Sequence, residues 1–280
     1  MHTLVKLVRI AASFCATVKP SDRYTLQRPR HRQLFKAIKQ GFRKHFAPRK
    51  VVLPPYGVEE RGFQGKNAFA DQVGLAPDVS VIFDVGAHKG QTTAQYRALY
   101  PKATIYPFEP YPSSFDECVA AFAGDRRVKP QPYAVADATG PCRLHSYTNS
   151  ATNSLLPTVK DVYQFVDPGE IDRTGVVEAE SITIGDFCRG ERIPRIDILK
   201  LDIQGAELKA LAGATALLKR RAIGIIYTEV LFVPVYEGQA WHYDIAACLA
   251  RHGYRLFDFY NFTYAADGQV RWGDALFVPQ

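Results

Sequence analysis

The chain has 280 residues, 47% of them hydrophobic, which is sufficient for one α/β domain with an extension. Its net charge of +7 is uneven, because residues 1–50 hold 13 Lys and Arg against one acid, whereas the remaining 230 residues hold 22 against 27. Residues 51–280 are acidic overall and show no pattern of basic residues alternating with aromatic ones. This argues against a nucleic-acid-binding protein. Five scattered cysteines without a C-x-x-C pair argue against a disulfide scaffold or a thiolate zinc site.

The N-terminal part of the chain is basic and amphipathic. We interpret residues 1–57 as an extension and linker, followed by a domain over residues 58–280. Within residues 32–46, apolar side chains recur at helical spacing among basic ones, which predicts an amphipathic helix that either lies on an anionic membrane or packs on the domain. The longest uncharged run, Ile10–Val18, is too short to span a bilayer. We therefore expect a cytoplasmic protein, in which residues 1–47 could contact the inner face of the membrane.

A glycine corner follows the first buried strand of the domain. Val81–Phe83 is a short apolar run, Asp84 ends it, and Gly86 and Gly90 allow the backbone to approach a ligand. A helix is predicted over residues 91–100. The corner lacks the second glycine of G-x-G-x-x-G, and the chain has no P-loop pattern. This combination favours a nucleoside that carries little negative charge.

An acid closes the next predicted strand, Thr104–Phe108. Glu109 follows that strand and lies 25 residues after Asp84. An acid about 20 residues past such a corner, at the tip of the neighbouring strand, is placed to accept hydrogen bonds from both hydroxyls of a ribose. The alternative is an ordinary exposed glutamate at a turn.

The rest of the chain alternates strand and helix patterns, which predicts a parallel α/β sheet. Further strands are predicted at 128–135, 143–148, 176–184, 254–259 and 275–278, and further helices at 113–123 and 206–219. A polar loop over residues 148–154 separates two of these strands and could cover a substrate.

Two acids follow later strands on the same edge of the sheet. Ile196–Leu201 is a buried strand that ends at Asp202, and Glu229 lies near the tip of the next strand, 222–227. These acids could act as general base for a hydroxyl or hold Mg²⁺ or Mn²⁺ through oxygen ligands; alternatively they cap turns. Lys200 lies two residues before Asp202, on the same face of the strand, and could orient it.

Three segments together resemble the FkbM-type S-adenosylmethionine-dependent methyltransferases. They are D-V-G-A-H-K-G from Asp84, F-E-P-Y-P-S-S-F-D-E-C from Phe108 and L-K-L-D-I-Q-G-A-E-L-K-A-L-A-G-A from Leu199. The resemblance covers roughly residues 83–260. It implies a Rossmann-like class I methyltransferase fold, with a seven-stranded, mostly parallel sheet and helices on both faces.

The resemblance also implies which residues bind S-adenosylmethionine. The glycine corner would surround the amino-acid portion of the cofactor, Glu109 would bind its ribose, and Asp137 could reach its adenine or simply form a turn. The corner residues concerned are Asp84, Gly86, Ala87, His88 and Gly90. The chain departs from the family at His88, where Asn is more usual, and at Gln204, where Glu is more usual.

The implied reaction is methyl transfer to oxygen, on a sugar hydroxyl of a glycan or glycoconjugate or on another small acceptor. This chemistry requires alignment of the acceptor and removal of its proton, so no nucleophile motif is needed. Two alternatives of other classes remain open, a dinucleotide-dependent oxidoreductase and a non-catalytic scaffold that binds a nucleoside or a membrane.

Overall fold

A computed structural model of the chain describes residues 67–265 and 267–280. The predicted extension with its helix at 32–46 lies outside these residues, so the boundary at residue 57 stays a prediction. Within the two described ranges, no helix is long and apolar enough to cross a bilayer.

Strands and helices alternate through most of the described chain, as predicted. The strands are β1 (Val81–Val85), β2 (Thr104–Phe108), β3 (Tyr133–Val135), β4 (Gly140–Tyr147), β5 (Arg173–Ile182), β6 (Ile196–Leu201), β7 (Ile223–Leu231), β8 (Tyr254–Tyr264) and β9 (Val270–Pro279). The helices are α1 (Ala68–Leu75), α2 (Gln91–Leu99), α3 (Pro112–Ala121), α4 (Ile184–Gly190), α5 (Glu207–Gly213), α6 (Thr215–Lys219) and α7 (His242–Arg251). The helix predicted over 206–219 is divided, because Gly213 is a poor helix former and Ala214 leaves the helical range (φ −102°, ψ 4°).

The main sheet has six strands in the order β2-β1-β6-β7-β9-β8. The first four are parallel, and β9 is antiparallel to both β7 and β8. Successive side chains of a strand point to opposite faces, so Phe83 packs in one apolar cluster and Ile82 in the other. Helices α4 to α7 cover the first cluster and α1 and α2 cover the second. Both faces of the sheet are therefore buried, which explains the continuous apolar runs of its central strands.

The predicted seven-stranded sheet is not confirmed, since the main sheet has six strands. The segment 128–131 lies parallel to β2 but makes only isolated bridges with it. Downstream, β3 joins a separate three-stranded sheet of order β3-β5-β4. The strand predicted at 128–135 is thus divided between two sheets.

Prolines explain why the ladder beside β2 is incomplete. The N–H groups of Lys129 and Gln131 donate to β2, the latter to Pro107 O at 2.8 Å. Pro107 has no N–H with which to continue the ladder. Pro130 and Pro132 alternate with the donors, so their nitrogens face away from β2, where a missing N–H is tolerated.

A second, smaller core fastens residues 148–172, here called the cover segment, to the end of β7. Its buried side chains come from the end of β4, the cover segment, and the end of β7 with the residues that follow it, and they are Tyr147, Val162, Val166, Ile171, Leu231, Val233, Val235 and Tyr236. Burial of this apolar surface holds the cover segment at the carboxyl edge of the main sheet.

Candidate active site at the carboxyl edge of the sheet

A cleft opens at the carboxyl ends of β1, β2 and β6. This edge of a parallel sheet is where α/β folds bind ligands. The cleft is lined by Gly86, Glu109, residues 133–135, residues 202–204 and part of the cover segment, which includes Ser150. The predicted polar loop thus lies over the cleft.

Gly86 allows the ends of β1 and β6 to meet. Its φ is +75°, and a Cβ at this position would lie 1.8 Å from the backbone oxygen of Asp202. The neighbouring Val85 O accepts a hydrogen bond from Asp202 N at 3.1 Å. Only glycine fits here, because the close approach is to the backbone of the next strand.

Glu109 is buried, and its carboxylate organises the corner. Oε2 accepts the backbone N–H of His88 and Oε1 that of Tyr111, each at 2.9 Å. Burial raises the pKa of Glu109, while these two N–H donors oppose that effect. Since a carboxylate oxygen accepts about two hydrogen bonds, each oxygen keeps one lone pair for a ligand.

His88 joins the glycine corner to the cover segment. Its Nε2 lies 2.7 Å from Ser150 Oγ, and its backbone φ is +50°. Burial lowers the pKa of His88, and the nearby Lys89 lowers it further. The imidazole is therefore neutral near pH 7 and forms a neutral hydrogen bond with the serine.

Asp84 lies behind the corner, among residues that do not line the cleft. It is completely buried, accepts a hydrogen bond from Thr93 Oγ1 at 2.6 Å and lies 3.3 Å from Lys200 Nζ. The same ammonium donates to Gly86 O at 2.9 Å. Burial would lower the pKa of Lys200, but the attraction of Asp202 and Asp84 outweighs burial and raises it. The pair therefore supports the corner from beneath.

Asp202 and Glu229, the two predicted acids, are joined by Gln204. The Nε2 of Gln204 donates to Asp202 Oδ1 at 3.0 Å and to Glu229 Oε2 at 2.9 Å. Lys200 Nζ lies 3.4 Å from Asp202 Oδ2, and the Asp202 side chain is 42% exposed. Burial raises the pKa of Glu229 well above its usual range, with a further increase from Asp202. The edge thus combines a solvent-accessible carboxylate, Asp202, with a neighbouring carboxyl, Glu229, whose charged form is disfavoured by burial.

Three residues of this site were missed by the sequence analysis. Glu207 is buried, and burial raises its pKa to about 7. Asp274 is the register partner of Glu229 on β9, and burial raises its pKa to about 6. Tyr236 donates to Gln204 Oε1 at 3.0 Å. Of the three, only Glu207 could have been found from the sequence, because it lies in the segment from Leu199 that resembles the family.

Two of the residues predicted to bind the cofactor, Asp137 and Ala87, do not line the cleft. Asp137 is exposed, lies 3.5 Å from Lys209 Nζ and is absent from the cleft lining, so its adenine role stays a prediction. Ala87 is buried, and its N–H donates to Phe108 O at 3.0 Å. Within residues 67–265 and 267–280, no group of three or more His, Cys, Asp or Glu is arranged to hold a metal ion.

A mixed α/β sheet with its ligand cleft at the carboxyl ends of the parallel strands is the architecture of the class I S-adenosylmethionine-dependent methyltransferases. Residues 84–256 match the family described as the methyltransferase FkbM domain, and the chain belongs to this family. It is an S-adenosylmethionine-dependent methyltransferase. Of the alternatives left open by the sequence, the oxidoreductase and the non-catalytic scaffold find no support in this membership.

Two curated relatives illustrate the family. The 2-O-methyltransferase NoeI of Sinorhizobium fredii is 26% identical over 163 residues, which cover 57% of this chain and 66% of NoeI. The 31-O-demethyl-FK506 methyltransferase FkbM of Streptomyces tacrolimicus is 28% identical and covers 59% of this chain and 73% of that enzyme. Among solved structures, the precorrin-6y C5,15-methyltransferase of Geobacter metallireducens matches 81% of this chain and 100% of its own, with 10% identity and a TM-score of 0.42.

Proposed function

We propose that the enzyme methylates a hydroxyl oxygen, on a sugar of a glycan or glycoconjugate. One observation carries this proposal, the half-exposed carboxylate of Asp202 at the cleft. Lys200 and Gln204 each contact one of its oxygens, so its direction is restrained while lone pairs remain available to a hydroxyl.

The residues around the cleft fit the cofactor. The spare lone pairs of Glu109 suit two ribose hydroxyls, and the corner at Gly86 and His88 suits the amino-acid portion. Acids at the edge favour a cation, and a sulfonium is cationic. When bound, S-adenosylmethionine supplies the electrophilic methyl group.

Asp202 is the better candidate for the general base. A base must be ionised and within reach of the proton that it removes. Asp202 is accessible from the cleft, whereas burial raises the pKa of Glu229 well above its usual range and so disfavours its charged form. In this proposal Asp202 takes the proton of the acceptor hydroxyl, Lys200 orients Asp202, and Glu229 contributes through Gln204.

The relatives support oxygen as the acceptor atom. The name of NoeI states 2-O-methyl transfer, and that of the Streptomyces enzyme places the methyl group on an oxygen of FK506. The sugar is the more specific part of the proposal and rests on the family resemblance.

The test has a binding arm and a transfer arm. S-adenosylhomocysteine should raise the Tm of the protein, while NAD and NADP should not. Radiolabelled methyl transfer from S-adenosylmethionine to a panel of methyl glycosides and oligosaccharides should yield a labelled ether, whereas stabilisation by NAD alone would contradict the proposal. If chelator abolishes transfer and Mg²⁺ or Mn²⁺ restores it, a metal assists the acids; transfer that resists chelator assigns the proton to Asp202 directly.

Asp202→Asn tests the proposed base. Turnover on the best acceptor should fall by about 10² or more, because general-base catalysis typically contributes 10² to 10⁴, while calorimetric affinity for the cofactor stays nearly unchanged. Asp197→Asn is the matched control, since Asp197 lies on β6, the strand that Asp202 follows, but accepts the backbone N–H groups of Ser80 and Val81 away from the cleft. Near-normal turnover of Asp202→Asn would remove Asp202 from the chemistry.

We also propose that residues 1–47 bind anionic membrane surfaces. A truncated chain lacking them should keep its cofactor affinity but lose salt-sensitive binding to phosphatidylserine-containing liposomes. Equal liposome binding by the truncated chain would contradict this role.

A further inference from the structure

Gln204 has an unfavourable backbone conformation that its surroundings maintain. Its φ of +57° is in the left-handed region, which is uncommon for a residue with a side chain. Such strain persists only where neighbouring contacts determine it, and it concentrates at functional sites. This residue also lies in the lining of the cleft.

The left-handed turn brings the amide of Gln204 between two strand ends. Its nitrogen donates to Asp202 on the β6 side and to Glu229 on β7. Both N–H groups of the amide are thus used on carboxyl oxygens. The amide is uncharged, so it restrains Asp202 without neutralising it.

The other atoms of Gln204 bind groups that hold the cover segment. Its backbone oxygen accepts Ser154 Oγ at 2.7 Å, and its Oε1 accepts the hydroxyl of Tyr236 at 3.0 Å. That hydroxyl also lies 2.9 Å from Thr152 O. Ser154 and Tyr236 are both buried, so these contacts are sheltered from water. One side chain therefore links the two acids to the segment that covers the cleft.

We propose that Gln204 is a positioning residue that directs the Asp202 carboxylate toward the acceptor hydroxyl and fixes the cover segment to it through Ser154 and Tyr236. This inference rests on the proposed function, since Asp202 is there the general base. It adds that this chain, which has Gln where the family more often has Glu, holds the base with a neutral double donor.

Charge explains why a neutral amide is suited to this position. A carboxylate in its place, although more usual in the family, could not donate to the Asp202 carboxylate, and like charges at this distance repel. An apolar side chain would leave Asp202 with Lys200 as its remaining polar side-chain contact. The titratable groups that surround Asp202 on the packed elements are Asp84, His88, Lys200, Glu207, Glu229, Tyr236 and Asp274.

The first test requires no acceptor. Side-chain carboxyl ¹³C NMR of the full chain, with S-adenosylhomocysteine present and the signal assigned by Asp202→Asn, follows the titration of this one carboxyl. Gln204→Leu removes a donor to the charged form, so the titration midpoint should move to higher pH by at least about half a unit. Tyr236→Phe, which frees the Gln204 amide, should move it less and in the same direction. Unchanged midpoints in both variants would overturn the proposal.

The second test separates positioning from general stability. On the best acceptor of the panel, Gln204→Leu should lower kcat by about tenfold to a hundredfold with little change in cofactor affinity, and Gln204→Glu should do the same. Gln72→Leu is the matched control, because Gln72 also accepts a tyrosine hydroxyl, from Tyr96, but lies on α1. It should leave both the midpoint and kcat unchanged.

The two proposals fail in different ways. An inactive Asp202→Asn combined with a fully active Gln204→Leu overturns the positioning role alone. A fully active Asp202→Asn overturns the proposed base, and the NMR midpoint still shows whether Gln204 binds Asp202.

Discussion

Lys200 and Asp84 are register partners on β6 and β1, and Lys200 Nζ lies 3.3 Å from Asp84 Oδ1. Both side chains are almost completely buried. Because the ammonium also donates to Gly86 O, the pair fixes the corner from within the protein. The expected cofactor role of Asp84 stays a prediction, and its carboxylate contacts Lys200 and Thr93.

Breaking this pair should be strongly destabilising. Lys200→Met leaves Asp84 charged and unpaired in the interior, and loss of one partner of a buried ion pair typically costs about 3 to 5 kcal/mol. We expect that decrease in the free energy of unfolding, measured by urea titration. The double variant Asp84→Asn/Lys200→Met should recover part of it, because no isolated charge remains.

The matched control is an exposed ion pair with a similar distance between its charged atoms. Lys89 and Glu117 are joined at 3.1 Å but are about half exposed. Lys89→Met should change the free energy of unfolding by no more than about 1 kcal/mol. If Lys200→Met is equally mild, the buried pair is not a structural requirement.

Removal of the Glu109 carboxylate should weaken cofactor binding. Glu109→Ala eliminates the two proposed ribose contacts, and hydrogen bonds to a charged group are worth about 1.5 to 3 kcal/mol each, so affinity for S-adenosylmethionine should fall at least tenfold by calorimetry. It also frees the backbone of His88 and Tyr111. Glu117→Ala, a surface acid, should bind normally, and unchanged affinity in a folded Glu109→Ala would refute the ribose assignment.

The glycine corner can be tested by comparing two Gly→Ala substitutions at positions that both have a left-handed backbone. Gly86 and Gly124 both have positive φ (+75° and +87°), but a Cβ at Gly124 meets nothing within 4 Å. Gly124→Ala should therefore cost only the left-handed penalty of about 1 to 2 kcal/mol. Gly86→Ala adds a collision with the Asp202 backbone, so it should lose much more stability in the same urea assay. Equal losses would mean that β1 and β6 can separate without penalty.

Glu207 should make stability depend on pH. Burial raises its pKa from 4.5 to about 7, so the folded state binds more protons than the unfolded state between these values. Its stabilising contribution is complete below about pH 4.5 and is lost as the pH rises through about 7. In Glu207→Gln, the amide oxygen can still accept the N–H groups of Ile203 and Gly205. Because the amide does not titrate, the loss of stability with rising pH should be absent from this variant.

Unfolding titrations at a series of pH values would measure the effect. Relative to the wild type, Glu207→Gln should gain on the order of 3 kcal/mol between pH 4.5 and 8. Asp274, whose pKa is also raised, remains in both proteins and does not contribute to the difference. Parallel pH curves would show that Glu207 titrates normally.

Local patterns predicted most of the sheet edge. Ile196–Leu201 and Thr104–Phe108 were predicted with the bounds that the structure has, since buried parallel strands are short apolar runs ended by polar or glycine turns. The same logic placed Glu109 and Asp202 directly after their strands. Glu229, which was predicted beyond a strand at 222–227, instead lies within β7, because that strand continues to Leu231. Family membership then confirmed the methyltransferase assignment.

Long-range contacts account for what the sequence did not reveal. The role of Gln204 depends on a positive φ and on Tyr236, which is 32 residues away, and neither is visible as a periodic pattern. The division of residues 128–135 between two sheets depends on which backbone N–H groups face a neighbouring strand, because the prolines of this segment have none to donate. The inward position of Asp84 follows from its pairing with Lys200, a partner on another strand.

Pro130 and Pro132 leave the outer side of the segment beside β2 without donors, since the N–H of Val128 is used by Asp125 O. A foreign strand adds to a sheet by exchanging N–H and C=O groups with an exposed edge. Over these residues the edge has no N–H to offer, so it cannot template β-augmentation or fibrillar growth. The β2 side of the sheet is therefore a poor template for self-association over these residues.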